Sequence, residues 1–588
     1  MIHVVDPRQK RLFDPFEGVI PPVGQRIIGS GWQGVFRHVL LELMPVGELA
    51  ENFSRAWGAP TKELYSMAGL VFLADFFDWT AQEATEAYIF RSDVQYALNL
   101  EPGVEVSSRT IERYQKLFRE DELATQVFHD VTIGLAEKLE INIARQRLDS
   151  THVFSHMASF GRTKLMAVAI KRYLTQVMRH APEQFAALPA EFRMRYQPAE
   201  SQLFAGAKDA EARQRCRQQA AEDLFWIIER FADCPDMTAR STYKALVTIF
   251  GQQCELSGGK VVVKAKTGGD CVQNPSDPNA GYDAHKGQGY QVQITETCSP
   301  ENEVQLITGA LPQSAAEPDG AAVIPMLDQL KESNLLPEEM LADTLYCGDE
   351  NVQAAEDRGV ELVGPIPGRE PASDPLALTL DDFAVDERTG RVEACPQGHA
   401  PLVVERNEDT GATRLEMPAA ACEGCPFRTS CPIHQTRDGR YELDFTDKDH
   451  RLAGRRREQE TPVFAERYRM RSGIESTNSG LKNRLGLNRL RVRGRGSVFR
   501  VILHKVAGWN LLRAAASMKL RAWVSSEVAQ TFKEAESGPD GRVCALVLRL
   551  WHCFQTVFRG AHDRFNDPED FCAARAKTTD YSHAAFCR

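Results

Sequence analysis

Tyr468, Arg471, Glu475 and Lys482 lie at intervals that bring four chemically capable side chains onto one helical face. At about 100° of rotation per residue, offsets of three, seven and fourteen fall within roughly one 60° sector. A carboxylate flanked by cations suits a metal-assisted reaction on a phosphodiester. The Glu would hold a divalent cation, and the Arg and Lys would hold phosphate oxygens. The same stripe also fits a solvated charged face with i,i+4 pairing. The surrounding chain decides between the two.

With 588 residues, of which 43% are hydrophobic and 26% charged, the chain has an ordinary globular composition and room for about two to four domains. No run of about 18 uncharged apolar residues is present, so no transmembrane helix is expected. Met1 to Pro7 lacks a basic segment followed by an apolar one, so no secretory signal and a cytoplasmic location are expected. The 14 cysteines are mostly scattered, as in a reducing compartment, with one cluster. The formal net charge of -11 argues against a uniformly basic DNA-coating protein. Yet residues 451–500 carry 14 Arg and Lys against 4 Asp and Glu. Phosphate attraction acts over about a Debye length, so this local surface can bind DNA despite the acidic whole.

Residues 1–138 read as a helical N-terminal domain, with Val35 to Phe53 and Leu64 to Phe77 apolar and Ser107 or Ser108 capping a helix. That last helix carries Arg109, Arg113 and Lys116 and fits either a DNA contact or plain packing. A strand containing Asp149 follows within Leu139 to Val153, and burying its carboxylate is costly unless it is paired or bound to metal. Residues 162–256 read as a helical insertion. Strand signals return at Lys260 to Lys264, Gly289 to Thr297 and Glu303 to Thr308. A helix from Gly320 to Ser333, a strand from Met340 to Tyr346 containing Asp343, a helix to Asp357 and a strand from Glu361 to Ile366 complete the series. This order matches a ribonuclease-H-like α/β mixed-sheet core, formed by residues 139–161 and 257–367 and completed by residues 451–522. In that fold, carboxylates on the first strand, the fourth strand and a later helix converge on two divalent metals. Asp149, Asp343 and Glu475 stand in that order. Asp349 and Glu350 are the nearest rivals to Asp343.

A Cys-rich insertion spans residues 368–450. Cys395, Cys422, Cys425 and Cys431 have the spacing of a structural, zinc-ribbon-like zinc site, with His399 and His434 as alternative ligands; unligated reduced cysteines are the other reading. Arg491, Arg493 and Arg495 alternate along a segment suited to contacting phosphates. Val498 to Trp523 reads as a buried helix. The tail, residues 523–588, holds one amphipathic stretch, Val543 to Phe558.

Tyr468, Arg471, Glu475 and Lys482 reproduce the Y-x2-R-x3-E-x6-K signature of DDE transposases from bacterial insertion sequences. Leu148-Asp149-Ser150-Thr151, Asn274 to Pro278, Gly287 to Tyr290, and Ala342-Asp343 before Tyr346 also resemble that family. The combination is similar to the insertion-sequence group numbered eleven eighty-two, over roughly residues 15–520. The resemblance implies that Asp149, Asp343 and Glu475 are a catalytic triad using two Mg²⁺ or Mn²⁺ ions. It implies that Tyr468, Arg471 and Lys482 position double-stranded DNA. The implied reaction is hydrolysis at each element end, followed by attack of the freed 3′-hydroxyl on target DNA. Work on two ends implies a homodimer. A DNA-binding derivative without catalysis is the alternative. The family usually has a Gly where this chain has Leu345, which bears on the turn after Asp343.

Overall fold

A computed structural model describes residues 2–526, apart from residues 10–14, 17–19, 102, 121, 159, 207–208, 369–377, 387–390 and 408. The stretch Val543 to Phe558 lies outside the described residues. No helix among the described residues is long and apolar enough to cross a membrane.

The N-terminal region is helical, as expected. Its main helices are α1 (Leu64–Phe76), α2 (Ser108–Glu120) and α3 (Leu123–Leu139). Ser107 caps α2 by accepting from the Thr110 amide at 3.2 Å. The expected helix over Val35 to Phe53 is broken into short helical turns that end at Pro45 and restart at Val46.

The main sheet contains β1 (Arg145–Val153), β2 (Gly287–Thr297), β3 (Ile307–Ser314), β4 (Glu339–Ala342) and β5 (Glu361–Val363). Their order is β3-β2-β1-β4-β5. Strands β1, β2 and β3 pair antiparallel; β4 and β5 run parallel to β1. The sheet is mixed, and its strand order and directions are consistent with the expected ribonuclease-H-like core. Two helices connect the later strands, α4 (Val323–Glu332) and α5 (Asp349–Glu356). The third strand begins later than its sequence signal, and the fourth ends at Ala342, so Asp343 follows the strand directly.

Two expectations need correction. Lys260–Val263 is a strand, but it pairs only with Cys254–Ser257. That hairpin packs on the helical insertion, whose own apolar core includes Tyr173, Leu224, Ile227 and Leu246. The insertion therefore runs past residue 256. The N-terminal helices, by contrast, keep only a small cluster of their own among the described residues, Phe16, Ile20 and Tyr96. Their main core is shared with the sheet, because α8 (Arg495–Ala516), which follows α6 (Pro462–Arg469) and α7 (Ile474–Asn483), is buried along most of its length and packs against both. The Cys-rich insertion has a third core around a four-stranded antiparallel sheet, with Leu415, Met417, Leu443 and Cys422 inside.

Candidate active site

Asp149 is on β1, Asp343 lies just beyond β4, and Glu475 is in the first turn of α7. One side chain joins all three. The Arg471 guanidinium lies 3.1 Å from Asp149, 3.8 Å from Asp343 and 2.9 Å from Glu475. The carboxylates grade from inside to outside, at 13%, 39% and 62% side-chain exposure. Asn478 donates to Asp149 Oδ2 at 2.9 Å. Burial pushes the Asp149 carboxyl up to about 6, although Arg471 opposes the rise. A buried carboxylate that resists ionisation gains most from a nearby cation, and here the cation is Arg471.

Tyr468, Arg471, Glu475 and Lys482 do not share a single α-helix. Tyr468 is on α6, Arg471 is in a 3₁₀ turn (Met470–Gly473), and Glu475 and Lys482 are on α7. Mid-helix 3₁₀ segments mark local competition for the backbone. The competitor is visible: Arg147 on β1 donates to the Met470 carbonyl at 2.8 Å. Arg147 also pairs with the buried Glu296 of β2, and Thr477 of α7 donates to Glu296 Oε1 at 2.5 Å. A Cβ at residue 473 would overlap the Arg147 guanidinium, so the turn needs Gly473. On the other side, Arg467 of α6 binds Glu339 of β4 and Glu361 of β5, each at 2.6 Å. Both helices are thus fastened to the sheet by charged pairs.

The rival Asp349 is excluded from the site, because it is buried and held by Arg451 through two hydrogen bonds of 3.2 and 2.7 Å. Leu345 is not among the positive-φ residues, so the turn after Asp343 needs no glycine. The Leu345 amide donates to Asp343 Oδ1 at 2.8 Å, which fixes that carboxylate.

Among the other residues singled out, Tyr468 stacks on Phe464 with ring centroids 5.6 Å apart and is half-buried. Lys482 makes no hydrogen bond or ion pair among the described residues. It faces the His152 environment, where it helps hold the imidazole pKa down, behind burial as the larger cause. Arg489 makes an isolated parallel bridge with Phe154, just beyond β1, and the Phe154 amide donates to the Asn488 carbonyl at 3.0 Å. Arg491, Arg493 and Arg495 are all exposed, Arg495 at the start of α8. Arg491 is engaged with Glu83 at 3.0 Å, and Arg495 lies over the Phe499 ring at 5.0 Å. Arg493 stands near Arg172, whose pKa is lowered first by burial and then by this neighbour.

The thiols of Cys395, Cys425 and Cys431 surround Cys422 closely enough to raise its pKa, after burial as the main cause. Cys395 and Cys425 each sit in a tight turn, with the Gly398 amide bonding Cys395 O at 2.7 Å and the Cys425 amide bonding Cys422 O at 3.3 Å. Among the described residues, no three His, Cys, Asp or Glu side chains stand at metal-holding spacing. At the carboxylates, Arg471 lies between the three side chains.

Four residues of this site escaped the sequence reading: Arg147, Glu296, Thr477 and Asn478. The last two carry a signal. Ile474, Thr477, Asn478 and Leu481 form the buried i, i+3, i+4, i+7 stripe of α7, so two polar residues occupy core-facing positions.

Residues 394–515 match the family model described as "Transposase DDE domain". The match takes in the four cysteines, Tyr468, Arg471, Glu475 and Lys482, and leaves Asp149 and Asp343 outside. No curated protein matches the chain. A solved structure, the "Cryo-EM structure of piggyBac transposase synaptic complex with hairpin DNA (SNHP)", is similar at 11% identity, with a TM-score of 0.20, over 72% of this chain and 81% of that one.

Proposed function

We propose that this chain is a DNA transposase that cleaves the ends of its own insertion sequence and joins the 3′-hydroxyl ends to target DNA. The observation that carries the reading is the convergence of Asp149, Asp343 and Glu475, from three separate elements, on one cation. The match of residues 394–515 to a transposase domain supports it. Three hard carboxylate oxygen donors fit Mg²⁺ or Mn²⁺, and the guanidinium is a stand-in for positive charge at their centre. Two such ions would supply activation of the attacking oxygen and stabilisation of the leaving one.

The chain's own residues do the rest. Asp149, Asp343 and Glu475 would hold the ions. Arg471, once released from the carboxylates, binds a phosphate beside the scissile bond. Lys482, unpaired among the described residues, takes a neighbouring phosphate as a point charge. Tyr468 lines the same approach. Arg491, Arg493 and Arg495 extend the cationic path along the duplex. The four cysteines would hold a structural zinc that staples the small insertion. Two copies of the chain act on the two ends.

The test is cleavage of labelled DNA spanning the ends of the element, with Mg²⁺ or Mn²⁺, comparing wild type with Asp149→Asn and Glu475→Gln. Metal-dependent nicking lost in both variants, with DNA binding retained, is the expected result. Binding without cleavage by wild type would leave a DNA-binding protein only. Cleavage surviving both substitutions would locate the active site elsewhere.

A further inference from the structure

Glu296 is fully buried on β2, yet no step of the reaction above uses it. A buried carboxylate is costly, and apolar residues of similar volume serve stability as well or better than a buried ion pair. Its bonding gives the reason for its presence. Glu296 Oε2 accepts from Arg147 Nε at 2.9 Å and from Nη2 at 2.5 Å, while Oε1 accepts the Thr477 hydroxyl at 2.5 Å. Arg147 and Glu296 are a directly opposed cross-strand pair, two residues before the Asp149–Ile294 pair, so they lie on the same face of the sheet as Asp149. The third guanidinium nitrogen, Nη1, reaches the Met470 carbonyl.

One ion pair thus grips the chain at Met470 and again at Thr477. Arg471 and Glu475, the two motif residues that meet Asp149, lie between those grips. Asn478 adds a third hold, directly on Asp149. A helix without such pins can slide along an apolar sheet face, and one helical turn is about 5.4 Å. Metal ligation tolerates only a few tenths of an ångström.

Resting on the transposase reading, we infer that Glu296, through Arg147 and Thr477, is a positioning residue that sets Arg471 and Glu475 against Asp149. It is not a metal ligand, because both of its oxygens are committed and Arg147 neutralises its charge. Outer-shell partners of metal ligands act in this way elsewhere, and losing one typically lowers metal affinity or activity by about 10–100-fold.

The test uses the full-length protein with Thr477→Val, Thr477→Ser and Glu296→Gln. Folding is read by thermal melting, DNA affinity by titration, and Mn²⁺ affinity by calorimetry; metal-dependent nicking gives kcat and KM. Thr477→Val is expected to fold and to bind DNA as wild type does. Its Mn²⁺ affinity and kcat should fall by at least about tenfold, with KM for DNA unchanged. Thr477→Ser, which keeps the hydroxyl, should restore both. Glu296→Gln should match or exceed the loss, and if it does not fold then Thr477→Val decides. Folded Thr477→Val with wild-type Mn²⁺ affinity and kcat would overturn the inference while leaving the transposase reading intact. Failure of Thr477→Ser to rescue would also overturn it. Wild type that neither binds Mn²⁺ nor nicks DNA would sink the transposase reading and this inference with it.

Discussion

At the scale of single residues, Asp149 sets the pH behaviour of the site. Its pKa rises from 3.8 to about 6, mainly through burial. Between those values the folded protein holds a proton that the unfolded chain has released. Stability contributed by the protonated form is therefore lost as pH rises towards 6, and at pH 7 ionised Asp149 costs on the order of 3 kcal/mol. Asp149→Asn should thus be inactive with Mg²⁺ or Mn²⁺ yet, in metal-free buffer at pH 7.5, more stable than wild type by about 1–3 kcal/mol in urea melts. The difference should shrink towards zero below pH 4. Equal stability at both pH values would show that the carboxylate is not strained. Lys482 makes a simpler prediction. If it holds one phosphate, Lys482→Ala should weaken DNA binding and lower the slope of log affinity against log salt by about 1. An unchanged slope in a salt titration would remove it from the interface.

At the scale of elements, the motif is two helices and a turn held by the sheet. Gly473→Ala places a methyl group in the Arg147 guanidinium, so the turn must lift. We expect a loss of about 1–3 kcal/mol in stability and a larger loss of nicking, because Arg471 moves with the turn. Gly480 is equally tight, with a Cβ there meeting the Trp509 ring of α8. Gly480→Ala should therefore loosen α7 from α8. The two variants differ in a useful way, since only Gly473→Ala disturbs Arg147. If both lose metal affinity equally, general helix displacement rather than the Arg147–Glu296 grip governs the site. The alternation of strand residues and the order of strands and helices were legible at this scale, because side-chain period is a local property. The break in the motif helix was not legible. It arises where a guanidinium from a strand more than 300 residues earlier takes a backbone carbonyl.

Across the whole molecule, the N-terminal helices are joined to α8, and through it to the sheet, by buried charge. Asp75 of α1 binds Arg500 of α8 at 2.8 and 2.9 Å and His504 Nδ1 at 2.7 Å. Burial alone would raise the Asp75 carboxyl, but Arg500 and His504 hold it below the usual range. Burial keeps His504 neutral, with its pKa lowered despite Asp75. Both groups stabilise the fold at neutral pH. The His504 contribution is lost first, as pH falls below 6.5, and the Asp75 contribution follows in stronger acid. Asp75→Asn leaves a buried guanidinium without its charge partner and should cost about 3–5 kcal/mol in denaturant unfolding. A cost below 1 kcal/mol would mean that water reaches the cluster.

The sequence by itself determined the chemistry available. It supplied Asp149, Asp343 and Glu475 in order, the Tyr–Arg–Glu–Lys spacing, the grouped cysteines and the alternating arginines, all of which are properties of residue type and local spacing. Thr477 and Asn478 showed only as polar residues on the buried stripe of α7, and Glu296 and Arg147 carried little local signal, because a buried polar residue is recognised by the partner that satisfies it, and those partners lie far away in sequence. The tertiary structure alone decided that Arg471 stands among the three carboxylates, that Asp349 is sequestered by Arg451, and that the N-terminal helices share the core of the sheet. Each of these depends on distances between segments a hundred or more residues apart, which packing fixes and local patterns do not encode.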